Sequence, residues 1–466
     1  MAKGTYSLAE VLAVAKNHPF YNETVIYPAD SQTVTKFQNS TRSKEKELDL
    51  QQQPLLDKKI LYKSIERLTH DVDPRNTYRH GSYMSITGGG SGAIPMMFAV
   101  DVHENRRQRA RMGDLLRICG VIEPKDLVLS THLAGGFYRS LDLTTEIIEN
   151  AGGTVLSAGA YMPPAEVLQS LANYHVNALT GDGSQIVQTV QHISMMAKED
   201  RERIVLNKII YTSEPLTGPQ RIFIKSVLGD VMIFSIMGSA EAGPWAISNP
   251  KLTGEQNVTE ITTDFIFDTR SMLLEIFPQD PPSVSDDIAP LISECLSQGE
   301  KGLIVQTSLQ RLRNPLVRYI TGDIGSIHPL PDTASVVDPE FDRKFLRILR
   351  MQGRDRRFSF KWYAAYFEFQ RIEAFMQEKE YGILQWQIIL DRLDDIPQAS
   401  LEIRLLRSPP RDDIFSVQTL TERLESFFLI IPENKHLARI VFLDNLDGFE
   451  RSNTAGKVIK FVDRWH

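Results

Sequence analysis

Two segments of this chain carry residue types suited to phosphate and acyl chemistry. The first, TGGGSG, sets Thr87, Gly88, Gly89, Gly90, Ser91 and Gly92 in one loop. Its glycines leave a run of backbone N–H groups unobstructed, and such a run can close around an anion. It is not a Walker loop, because Ala93 stands where GxxxxGK[ST] requires lysine. It can be stretched to GxGxxA, but the next strand-like run, DLVLS, ends in Thr131 and His132 rather than in the acid that a dinucleotide fold offers a ribose. It is not a serine-hydrolase elbow either, since Ala93 takes the last glycine position of GxSxG. Alone, the loop reads as a tight turn. The second segment, RSNTAGKVIKFVDRW, lies at the far end and delivers Lys457 from a loop of small residues.

Elements to position these residues are legible around them. The first stretch, through QNSTRSKEKELDLQQQPLLDKK, is polar and helix-prone, and reads as peripheral helices with a mobile loop. From Ser82 short β-like runs alternate with amphipathic helices: SYMSI, a helix over 105–118, DLVLS, a helix over 141–150, TVLSA, a helix over 165–171, and NALTG. That alternation predicts an α/β fold with a parallel or mixed sheet and ligand-binding turns at strand ends. Further strands follow in IVLNKIIYTS, VMIFSIMG and LIVQTS. FLRILRMQGRDRR then reads as a strand entering a charged turn, which divides a large N-terminal domain (1–352), with mixed sheets flanked by helices, from a small C-terminal α+β domain (353–466) joined by a hinge. In the small domain the pattern predicts a helix over 367–379 and strands ILQWQIIL, LEIRLL and ARIVFL.

Length and composition narrow the function. A chain of 466 residues exceeds what one core usually serves. With 42% hydrophobic residues, 24% charged and a net charge of −7, there is no basic excess to suggest nucleic acid or an anionic membrane surface. Cys119 and Cys295 are far apart and lack a metal-ligand spacing, so buried thiols in a reducing, cytoplasmic setting are expected. No run approaches the ~18 uncharged apolar residues of a membrane span, and a soluble protein is expected.

Three further segments complete a set: MGSAE (Met237 to Glu241), YITGD (Tyr319 to Asp323) and GRDRR (Gly353 to Arg357). In that order, with TGGGSG before them and the Lys457 tail after them, they resemble the core motifs of the adenylate-forming superfamily. THLAGGFYRSLDLTTEIIENAGGTV, SEPLT (Ser213 to Thr217) and the tail resemble its phenylacetate–CoA ligase branch, and the likeness covers about residues 82–466. The resemblance implies ATP-dependent activation of an aromatic or similar carboxylic acid to an acyl-adenylate, then transfer to the thiol of CoA. It implies that the loop Thr87–Gly92, the segment Ser213, Glu214 and Pro215, and Met237, Gly238 and Ser239 surround the nucleotide. Glu241 would hold Mg²⁺, Asp323 the ribose hydroxyls, Arg354 the ribose or phosphate, and Lys457 the carboxylate and α-phosphate in the first half-reaction only. His132, Phe137, Tyr138, Ser235 and Ile236 would line the acyl pocket, and the two aromatics favour a flat, apolar acid.

The sequence also departs from that pattern. Ala93 replaces the lysine that normally ends the phosphate loop, Met237 replaces the aromatic that stacks on adenine, and Trp362-Tyr363-Ala364 stands near a glycine expected on the thiol path. Transfer to a carrier-protein thiol, a protein thiol or an amine therefore stays open beside CoA, as does a degenerate member that binds its ligand without turnover. A homodimer is compatible with the sequence.

Overall fold

The computed structural model describes residues 5–41, 49–86, 97–213, 216–254, 262–278, 295–331, 334, 343–354, 359–362, 365–393, 396–432, 434–452 and 456–464. Three helices open the chain: α1 (Leu8–Ala15), α2 (Ser31–Thr41) and α3 (Lys58–His70). A capping box starts α1, with Ser7 N–H donating to the Glu10 carboxylate at 2.8 Å and Glu10 N–H to Ser7 Oγ at 3.2 Å. Val11, Leu12, Val14 and Ala15 of α1 and Leu61, Ile65 and Leu68 of α3 are buried, because their helical spacing gathers few apolar residues onto one face. The expected mobile loop, 42–48, lies outside the described residues. SYMSI forms β1 (Ser82–Ile86), but it pairs antiparallel with β2 (Met97–Asp101) in a two-stranded sheet of its own rather than opening the β–α alternation.

The alternation proper runs through α4 (Val102–Ile118), β3 (Leu127–Ser130), the small hairpin β4 (Ala134–Gly135) and β5 (Tyr138–Arg139), α5 (Ser140–Asn150), β6 (Thr154–Ser157), α6 (Pro164–Asn173), β7 (Ala178–Asp182), α7 (Gly183–Met195), α8 (Lys198–Arg201), β8 (Lys208–Thr212), α9 (Gly218–Leu228) and β9 (Met232–Ser239). Then come β10 (Gly243–Ser248), α10 (Pro250–Thr253), β11 (Thr263–Asp268), β12 (Met272–Phe277), β13 (Gly302–Ser308), β14 (Tyr319–Pro329) and β15 (Leu346–Arg354). All but the two small hairpins join one eleven-stranded sheet, ordered β12-β13-β14-β15-β11-β10-β9-β8-β7-β3-β6. Strands β9, β8, β7, β3 and β6 pair in parallel, and those from β10 to β12 pair antiparallel. Helices cover both faces of the parallel half. Leu129, Leu179, Ile209 and Ile233 pack under α6, α7 and α9, and the alternate residues Val128, Ala178, Ile210 and Phe234 pack under α4 and α5.

A separate C-terminal sheet follows. The hairpin β16 (Ser359–Trp362) and β17 (Ala365–Glu368) leads into α11 (Phe369–Met376), shorter than the expected 367–379 because 365–368 pair as a strand. Strands β18 (Ile383–Leu393) and β19 (Ile396–Arg407), helix α12 (Val417–Phe427), and strands β20 (Ala438–Leu443) and β21 (Phe461–Asp463) complete it, ordered β20-β19-β18-β21. Trp362, Phe367, Ile372, Ile388, Ile403, Leu424 and Phe428 belong to its own core. A second set of its residues, Leu384, Leu406, Leu446, Phe449 and Val458, packs instead into the core under α7 and α9 of the large domain. Among the thiols, Cys119 is buried, and burial pushes its pKa up to about 12, whereas Cys295 is only partly buried and donates to Glu275 at 3.4 Å, which corrects the expectation for it.

Candidate active site

The carboxyl ends of the parallel strands gather several buried polar residues, among them His132, Thr180 and Asp182. His132 follows β3 and is completely buried, with Nε2 3.1 Å from Thr180 Oγ1 of β7. Among the described residues its Nδ1 has no hydrogen-bond partner, and it faces Asp182 Oδ1 at 3.8 Å. Asp182 ends β7 with its N–H donating to Gln185 Oε1 at 3.1 Å, and Thr212 of β8 donates to its Oδ1 at 3.3 Å; Oδ2 is buried and has no partner among the described residues. Burial holds the His132 pKa below its usual value; Asp182 opposes the shift, and the ammonium of Lys457 lies close enough to reinforce it. The imidazole is therefore neutral at physiological pH, with one ring nitrogen uncommitted.

Lys457 reaches this place from the C-terminal domain. Ser452 N–H donates to Lys457 O at 2.8 Å, Gly456 N–H to Ser452 O at 2.9 Å, and Lys457 N–H to Ser452 Oγ at 3.2 Å, with Gly456 at φ 64° where a side chain would be strained. Gln387 of β18, fully buried, grips the base of the turn, donating to Glu450 O at 2.9 Å and Ile459 O at 2.7 Å. The next residue, Val458, is locked into the interdomain core, so packing sets where Lys457 stands.

Glu241 lies in the turn between β9 and β10. Three side chains fix that turn: Ser239 Oγ accepts from Ala242 N–H at 3.0 Å, Gln108 of α4 donates to Ala242 O at 2.7 Å, and the buried Arg311 donates to Glu241 O. Gly238 and Gly243 allow the approach, since a Cβ on Gly238 would lie 2.9 Å from Gly243 O and one on Gly243 would strike Gln108. The carboxylate is nearly buried, and Oε1 accepts from Tyr62 Oη of α3 at 2.9 Å and Tyr319 Oη of β14 at 3.1 Å, with Lys58 Nζ 4.0 Å away. Among the described residues no donor reaches Oε2. Burial and the neighbouring Glu241 charge raise the Tyr319 pKa, so the phenol stays a donor. Burial also lowers the Arg311 pKa to about 10, which leaves the guanidinium charged.

Asp323 sits where β14 slips register, opposite Arg354 in β15. The slip is held by Thr321 Oγ1, which accepts from Asp323 N–H at 3.0 Å and donates to Ile304 O at 2.9 Å. Ser213 follows β8 at φ 76°, beside Thr212.

Other expected site residues stand elsewhere, or lie outside the described residues. Ile236 belongs to the core under α4 and α5, on the opposite face of β9 from Ser235 and Met237, because strand neighbours alternate. Phe137 is 75% exposed at φ 66° on the β4–β5 tip, while Tyr138 is partly covered. Ser235 is buried, with its N–H donating to Ser248 Oγ at 2.9 Å. The loop Thr87–Gly92, Glu214, Pro215 and the side chain of Arg354 lie outside the described residues. Sequence reading missed Tyr62, Lys58, Arg311, Gln108 and Asp182. Only Asp182 left a local signal, an acid at the end of NALTGD where strand turns into helix.

No family model matches the chain, and no curated protein sequence matches it. Solved structures do. Over 97% of this chain and 87% of theirs, it superposes on 2-hydroxyisobutyryl-CoA ligase in the postadenylation state in complex with R3-HIB-AMP, and on the same enzyme with 2-HIB-AMP, each at TM-score 0.63 and 17% identity. Agreement falls to 0.52, at 16% identity, for that enzyme with 2-HIB-AMP and CoA in the thioesterification state. The chain therefore has the fold of the adenylate-forming enzymes.

Proposed function

We propose that this chain is an AMP-forming acid–thiol ligase of the phenylacetate–CoA ligase-like branch. A carboxylate oxygen of the acid attacks the α-phosphorus of ATP. The bond from that phosphorus to the bridging oxygen breaks, and pyrophosphate leaves with the electron pair. In the second step the sulfur of a thiol, CoA in this reading, attacks the acyl carbon, the bond to AMP breaks, and the thiol proton passes to solvent.

The observation that carries the reading is that Lys457, from another domain, is brought to the polar strand ends holding His132 and Asp182. Better superposition on the postadenylation form than on the thioesterification form supports the same arrangement. Lys457 would meet the developing negative charge where acid and α-phosphate join, a preorganised contact of the kind that dominates such catalysis. Asp323, fixed at its bulge, would accept from ribose hydroxyls.

The donor set at Glu241 fits Mg²⁺. Among the described residues no group of three metal-ligating side chains exists, and one carboxylate oxygen with no protein donor suits an ion that takes most of its ligands from phosphates and water. Bound there, the ion would neutralise charge on the leaving pyrophosphate. A small domain spanning 353–466 would turn about the segment after β15 between the two steps.

The test is acid-dependent pyrophosphate release across a panel of aromatic and hydroxylated aliphatic acids, followed by product analysis with and without CoA. Release with at least one acid, and a thioester only when CoA is present, are the expected results. Binding of an acid or of ATP without release would instead identify a non-catalytic member.

A further inference from the structure

The glycine-rich segment supplies no cation, since residues 87–96 read TGGGSGAIPM. The cation that accompanies Glu241 comes from a distant part of the chain. Lys58 opens α3, and its Nζ lies 4.0 Å from Glu241 Oε1 with its side chain 54% exposed. An ion pair that long and that solvated adds little to stability, so folding alone gives no reason for its position. The helix beneath it is firmly placed: Leu61, Ile65 and Leu68 are all in the core. One turn along, Tyr62 donates to Glu241 and its ring carries the Lys58 ammonium 5.1 Å from the centroid, the i,i+4 spacing putting both on one face.

Tyr62 also packs edge-on against Phe98 of β2, with ring centroids 5.4 Å apart. Phe98 follows Met97, which pairs with Ile86 of β1, the residue just before the glycine-rich segment. So α3 lies against the strand pair that brackets that segment on one side and against Glu241 and Tyr319 on the other.

We infer that Lys58 is the cation that receives the β- and γ-phosphates of ATP, an inference that rests on the ATP-dependent reading above. When the bond to the α-phosphorus breaks, the departing pyrophosphate takes the electron pair, and its oxygens gain charge beside Glu241. A compact ammonium with three donors, half in solvent and held only loosely by the Tyr62 ring and Glu241, can follow those oxygens. Lys58 and Lys457 then divide the triphosphate, with Lys58 at the leaving end and Lys457 at the α-phosphate.

The experiment compares wild type, Lys58→Met and Lys58→Arg by direct binding of ATP and of AMP, by pyrophosphate release against ATP concentration, and by thioester formation from supplied acyl-adenylate. Lys58→Met is expected to weaken ATP binding and lower pyrophosphate release on the order of 10²-fold, with AMP binding and thioester formation from acyl-adenylate unchanged. Lys58→Arg is expected to restore most of the loss, because the charge is kept. Wild-type ATP dependence in an active Lys58→Met enzyme overturns the inference alone. Equal losses of ATP and AMP binding, or a lowered melting temperature, also overturn it by making Lys58 a structural residue. A wild type that binds ATP but releases no pyrophosphate with any acid overturns the function reading, and the ATP-to-AMP binding ratio of the variant then still decides on Lys58. A wild type that binds no ATP overturns both.

Discussion

Two lysines approach the candidate site from opposite ends of the chain, and their supports differ. Lys58 stands on α3, a helix whose apolar face is part of the large domain's core, so it moves only if that domain does. Lys457 stands on a turn gripped by Gln387, in a domain with a core of its own. That domain packs Leu384, Leu406, Leu446, Phe449 and Val458 against the large one, and Gln220 of α9 donates to Leu384 O. A seam of this kind can open without unfolding either part, whereas α3 cannot leave without exposing Leu61, Ile65 and Leu68. In the proposed two-step reaction one cation would stay fixed and the other would be removable, as is needed if two different steps share one pocket.

The strongest way to break this contrast is to dissolve the small domain while sparing the large one. Trp362 is 1% exposed, lies in the small domain's core and donates from Nε1 to Ala399 O at 3.0 Å. Its burial makes it part of that domain's packing. Trp362→Ala is expected to lower the small domain's stability by about 3–5 kcal/mol. Chemical denaturation is then expected to show an early transition separate from that of the large domain, together with loss of pyrophosphate release but retention of ATP binding. A single transition at the wild-type midpoint would mean that the small domain has no independent core.

Next in size is the removable cation itself. Lys457→Ala is expected to reduce acid-dependent pyrophosphate release by about 10²–10³-fold. Conversion of a supplied acyl-adenylate to thioester is expected to persist, measured by single-turnover chemistry. Equal damage to both steps would show that Lys457 does not leave.

The smallest effect sharpens the fixed side. Glu104 of α4 is buried; its Oε1 accepts from Leu312 N–H at 3.0 Å and Arg313 N–H at 3.3 Å, holding the loop that carries Arg311 to Glu241, while Oε2 is unpaired. Burial pushes its carboxyl up to about 7 from 4.5. The folded chain then keeps a proton that the unfolded chain loses, so this group's contribution to stability declines as pH rises from about 4.5 to about 7 and levels off above. The slope is at most about 1.4 kcal/mol per pH unit. Glu104→Gln is expected to flatten it, as read from melting temperature against pH. An unchanged profile would show that Glu104 is ionised throughout.

Much of this was written locally. The order of TGGGSG, MGSAE, YITGD and the Lys457 tail, with β–α alternation between them, already implied the fold, because strand and helix periodicities and turn residues are properties of short segments. The same local signals put Glu241 in a turn and Lys457 in a loop of small residues. They did not show that Ile236 faces the core under α4 and α5, since the face a strand residue takes depends on what covers each side of the sheet. Nor did they show that Phe137 is exposed, since an aromatic at a hairpin tip is exposed or buried according to distant neighbours. They gave no hint that Lys58 and Tyr62, some 180 residues before Glu241 in the chain, share its carboxylate, nor that His132 Nδ1 faces Asp182 Oδ1. Those relations come from closing one eleven-stranded sheet and laying an N-terminal helix and a second domain against it. Contacts so distant in sequence are selected by total apolar burial, which no single segment records.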